Sequence, residues 1–76
     1  MFIEQIRVNR EKAFRKIATR KGAVSCDFTN ERYSYTTKRG IVHKFMYFNS
    51  FNEYKNSEYY PSKDERCNGF IFVMTE

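Results

Sequence analysis

The chain has 76 residues and a formal charge of +5, with 41% hydrophobic, 18% aromatic and 30% charged residues. That balance fits one small globular domain over residues 1–76 and excludes a disordered chain. No apolar run approaches the ~20 residues needed to cross a bilayer, and Glu4 and Arg7 fall where a signal peptide is apolar, so a cytoplasmic protein with no membrane partner is expected.

Leucine and tryptophan are absent, so eight Phe and six Tyr, with Ile, Val and Met, must fill the interior. Cys26, Cys67 and His43 are the only cysteines and histidine, too few for a zinc site of about four ligands. No metal and no cofactor is expected. A Cys26–Cys67 disulfide is possible by count, although a reducing compartment favours two free thiols. The abundance of Phe, Tyr, Asn, Lys and Ile, residues with AT-rich codons, fits a small phage-type or mobile-element gene.

Taken in chain order, residues 2–8 alternate in a way that predicts a short strand, although Ile3, Ile6, Ala13 and Phe14 also carry helical spacing. Asn9 suits a helix N-cap. Arg20 and Lys21 suit the last turn, and Gly22 suits the residue beyond it. The spacing therefore predicts a helix over 10–21. Its apolar stripe is Ala13, Phe14, Ile17 and Ala18, opposite a basic face of Lys12, Arg15, Lys16, Thr19 and Arg20.

Strands are predicted at 23–28, 33–37, 41–48 and 70–74. Thr29–Arg32 reads as a turn with Asn30 left-handed, and Lys38-Arg39-Gly40 as a three-residue hairpin loop. The run 41–48 is apolar on both faces, which points to a central strand covered on two sides or meeting a partner. Ser50-Phe51-Asn52-Glu53 matches a capping box, giving a short helix over about 51–59 or an irregular loop; 61–69 reads as loop. The expected fold is α+β in the order β-α-β-β-β-α-β, a mostly antiparallel sheet with one basic amphipathic helix packed on it.

Charge is uneven along the chain. Residues 1–22 hold half of the 14 basic residues against only Glu4 and Glu11, whereas acidic residues outnumber basic ones over 45–76. This asymmetry points to an anionic partner. Lys or Arg on a rigid frame makes phosphate contacts, so Arg10, Lys12, Arg15, Lys16, Thr19 and Arg20 on the helix and Lys38 and Arg39 on the hairpin are the candidate nucleic-acid-binding residues. Tyr33 and Tyr35 are candidates for stacking on unpaired bases, or else pack in the sheet.

Catalytic residues are few. His43 is a candidate general base for a small ribonuclease with Lys44, Arg39 or Tyr47 beside it, but a single His within an apolar run reads more simply as packing. Cys26 alternates with Val24 and Phe28 and reads as buried and inert; Cys67, between Arg66 and Asn68, reads as exposed. The expectation is a non-enzymatic binder of DNA or RNA. The alternative is a small phage-type inhibitor or adaptor that binds an acidic protein or a nucleoprotein complex, with Phe51, Tyr54, Tyr59 and Tyr60 as anchors. A homodimer through a strand edge is also open, given the apolar faces of 41–48 and 70–74.

Overall fold

The computed structural model describes residues 2–29 and 32–75. The element order is α1 (Phe2–Arg20), β1 (Ala23–Thr29), β2 (Arg32–Thr37), β3 (Val42–Phe48), α2 (Phe51–Lys55), β4 (Asp64–Cys67) and β5 (Phe70–Met74). The five strands form one antiparallel sheet in the order β1-β2-β3-β5-β4. The α+β class and the antiparallel sheet are as expected; the expected order is not, because the chain begins with a helix.

No strand forms over 2–8, and Asn9 is no cap. It lies inside α1, where its Oδ1 accepts from Gln5 Nε2 at 3.1 Å. A strand there would require one buried face, yet Ile3 and Ile6 are 82% and 41% exposed. The helix, anchored by its buried second half, extends cheaply toward its N-terminus, since propagation costs far less than nucleation. Arg7 supports that extension by bonding Glu4 and Glu11, one turn away on either side.

The helix ends at Gly22, whose φ of 78° lies in the left-handed region open to glycine. A strand bulge between Ala23 and Ser25 then begins β1. The expected turn at Asn30 lies outside the described residues. Gly40 has φ 81°, and Gly40 N–H donates to Thr37 O at 2.9 Å, closing the β2–β3 turn.

Alternation along the strands divides the interior in two. On one face α1 lies across the sheet, and Phe14 is the centre of the core. Its ring meets Phe28, Tyr33, Tyr35, Phe45 and Phe72 at centroid distances of 5.2–6.1 Å, mostly edge to face. On the other face Phe48, Tyr54, Ile71 and Val73 pack together beneath α2 and the following loop. β3 is thus central, as its two apolar faces imply. β3 and β5 are both paired on either side, so the free edges belong to β1 and β4, and neither 41–48 nor 70–74 offers an edge for dimer pairing.

The second half of the chain departs from expectation in two places. α2 stops at Lys55, where Asn56 and Ser57, poor interior helix residues, take over; Ser50 caps it by accepting from Glu53 N–H at 3.3 Å. Tyr54 Oη then donates to Ser62 O at 2.6 Å and accepts from Ser62 N–H at 2.8 Å, tying the loop down. Within the expected loop 61–69, Asp64–Cys67 form edge strand β4. Asn68 and Gly69, with φ of 52° and 85°, make the tight hairpin into β5. Cys67 is half-buried against the core, not exposed. Both thiols are free, and β1 and β4 are opposite edges of the sheet. Four strand spacings separate them, roughly 19 Å, whereas a disulfide needs Cα atoms within about 7 Å.

Candidate nucleic-acid interface

The second half of α1 presents its buried side through Ala13, Phe14, Ile17 and Ala18, each at most 1% exposed. Because the helix turns 100° per residue, Lys12, Arg15, Lys16, Thr19 and Arg20 are left on the outside, and all five are exposed. Arg15, Lys16, Thr19 and Arg20 line a shallow open depression. Arg15 is partly held, its guanidinium carbon 4.8 Å from the Phe28 ring centroid on β1.

Charge compensation differs along the helix. In the first half, Arg7 holds the Glu4 carboxyl below the ordinary carboxylate range through its hydrogen bond and its charge, and the two carboxylates raise Arg7 in return. In the second half, Lys12, Arg15, Lys16 and Arg20 make no ion pair among the described residues. Lys21 pairs with Glu65 of β4 at 3.6 Å.

The topology adds the hairpin to this surface. Ala23, three residues after the helix ends, pairs with Thr37, the last residue of β2. The exposed Lys38 and Arg39 therefore stand at the end of the sheet where Arg20 and Lys21 finish the helix. Residues far apart in sequence thus share one basic end.

Three expected contact residues are not on the surface. Arg10 is 8% exposed. Its Nε donates to Tyr33 Oη at 2.9 Å, its Nη1 donates to Asn49 Oδ1 at 2.8 Å, and its guanidinium carbon lies 3.9 Å from the Tyr47 ring centroid. It ties the helix to the sheet. Tyr33 and Tyr35 are 2% and 4% exposed, with ring faces turned to Phe14 and Phe45, so neither ring can stack on a base at the surface. In this sheet the face that would have carried them is the one α1 covers.

The ribonuclease arrangement is not brought together. His43 is half-buried against Tyr35 at 5.2 Å, and Lys44 points to the opposite face by alternation. Tyr47 is four residues along the strand, about 13 Å away, and stacks under Arg10. Comparison with protein-family models, curated proteins and solved structures returned no match for this chain. Among the described residues no group of His, Cys, Asp or Glu is placed to hold a metal, and no helix is long and apolar enough to cross a membrane.

Proposed function

We propose that the protein is a non-enzymatic nucleic-acid-binding module whose phosphate-contacting surface is the outer face of α1 with the β2–β3 turn. The observation that carries this reading is the grouping of Lys12, Arg15, Lys16, Arg20, Lys38 and Arg39 at one end of the domain with no carboxylate partner among the described residues. Ammonium and guanidinium groups fixed on a packed helix meet phosphates with little loss of backbone freedom, and Thr19 adds a hydroxyl among them. Arg10, Tyr33 and Tyr35 support this surface from beneath and do not contact the ligand.

A second reading, an inhibitor or adaptor that binds a protein, is favoured by Ile3 and Ile6, apolar side chains exposed at the opposite, charge-compensated end of α1. Fluorescence anisotropy with labelled duplex DNA, single-stranded DNA and RNA tests the first reading. If four to six basic groups engage, log K against log salt should fall with a slope of about −4 to −5 on duplex. The Arg15→Ala/Lys16→Ala/Arg20→Ala variant should flatten that slope by roughly 3. Absence of binding to all three probes at low salt would overturn the proposal and leave the protein-directed reading.

A further inference from the structure

Beside the C-terminal end of α1 the sheet leaves a cleft of about 270 Å³. Its floor is aromatic, built from Tyr35, Phe45 and Phe72, all nearly buried. The Tyr35 and Phe45 rings are stacked at 5.5 Å and 27°. Its rim is charged, with Lys21 and Lys63 against Asp64 and Glu65.

Two features of this cleft are not explained by folding alone. The first is the Tyr35 hydroxyl. Three tyrosines are buried in this protein, and two have their hydroxyls bonded internally, Tyr33 to Arg10 and Tyr54 to Ser62. Tyr35, 4% exposed, makes only ring contacts. No fully enclosed side-chain polar atom lacks a partner among the described residues, so this hydroxyl borders open space, and the space it borders is the cleft. A buried tyrosine oxygen ordinarily finds a partner within the protein. The second feature is the charge balance of the rim. Glu65 is paired with Lys21 and Asp64 with Arg66, the latter at 2.7 Å. Lys63 has no ion pair among the described residues and sets the net charge positive.

An aromatic floor, one hydroxyl able to donate or accept, and a cation at the mouth are complementary to a planar heterocycle that carries a neighbouring anion. The volume lies just below the usual range of small-ligand pockets, about 300–1,000 Å³, which suits a single ring system and not an extended cofactor. The cleft also adjoins the basic surface, since Lys21 on its rim directly follows Arg20. We propose that the cleft takes the base of one nucleotide, with the adjoining phosphate meeting Lys63 at the rim. The base lies against the aromatic floor and bonds the Tyr35 hydroxyl. This inference rests on the nucleic-acid reading and sharpens it, because a base can enter only when unpaired, so single-stranded nucleic acid or a free nucleotide is the ligand and duplex is not.

The test compares a labelled single-stranded oligonucleotide with a strand of equal length that is abasic throughout, and with mononucleotides added singly. The two strands carry the same phosphates and differ only in the bases. The intact strand should bind about tenfold more tightly, within the range of one base stacked on an aromatic platform. Tyr35→Phe, which keeps the ring in the core, and Lys63→Ala, which alters an exposed side chain, should each shrink that ratio severalfold while thermal unfolding confirms the fold. Chemical shifts at Tyr35, Lys63 and Phe72 that saturate with a mononucleotide as tightly as with the strand would support the cleft and identify a free nucleotide as its source. Equal binding of intact and abasic strands, unchanged in both variants, would overturn the cleft and leave the basic surface standing. No binding of either strand would overturn both.

Discussion

At position 10 a cation lies inside the protein, and its partners explain why it is tolerated. The guanidinium donates to a phenol and an amide and lies over a tyrosine ring, exchanging hydration for two short bonds and a π face. Arg10→Ala leaves the Tyr33 hydroxyl and the Asn49 amide without their donor and removes the stem that packs between them. The expected cost is about 2–3 kcal/mol, or roughly 10–20 °C in Tm for a domain of this size, read by circular dichroism. A loss below about 0.5 kcal/mol would sink this account.

Tyr33 adds a pH dependence. Burial pushes its phenol above the ordinary tyrosine value, and the Arg10 hydrogen bond and charge pull back less strongly. The folded state therefore holds the proton more tightly than the unfolded state. The stability from this group is complete below about pH 10 and is lost as pH rises through the raised folded value. Urea unfolding between pH 9 and 11 should show a steeper decline for wild type than for Tyr33→Phe.

The element that organises the fold is α1, and its centre is Phe14, whose ring meets aromatic rings from four of the five strands. Phe14→Ala should cost about 3–5 kcal/mol. A 76-residue domain holds only about 4–11 kcal/mol in total, so this variant is expected to be largely unfolded at 37 °C, while Phe14→Leu keeps much of the volume and remains folded. Heat capacity scans of the two variants decide this; a cooperative, near-wild-type transition for the alanine variant would contradict a core built on one ring.

Much at this scale was legible in the sequence. Ala13, Phe14, Ile17 and Ala18 read directly as the buried stripe, Ser50 as a cap, and 70–74 as a strand. Three elements were not legible. Residues 2–8 satisfy two periodicities at once, and neither is tested by burial, because the first turns of α1 reach beyond the core. Strand β4 is charged because it is an edge, and edge strands escape the apolar alternation by which strands are found. The Asn68-Gly69 pair, a strong hairpin signal, was the clue that 61–69 hid a strand.

Across the whole molecule, topology turns a diffuse charge gradient into a surface. The sequence places basic residues at 10–21 and at 38–39; antiparallel pairing of Ala23 with Thr37 brings the two groups to one end. The salt slope proposed for duplex binding is a property of that grouping, since counterions are released from phosphates that one surface can reach together.

Periodicity, composition and capping residues determined on their own that this chain is a small α+β domain with a basic helix exterior, because those signals are local and each residue carries its own propensity. Only the tertiary structure decided which side chains are surface and which are frame. A strand shows two faces until something covers one of them, and here α1 covered the face bearing Tyr33 and Tyr35, buried Arg10 between helix and sheet, and left the Tyr35 hydroxyl facing the one cleft its own end does not fill.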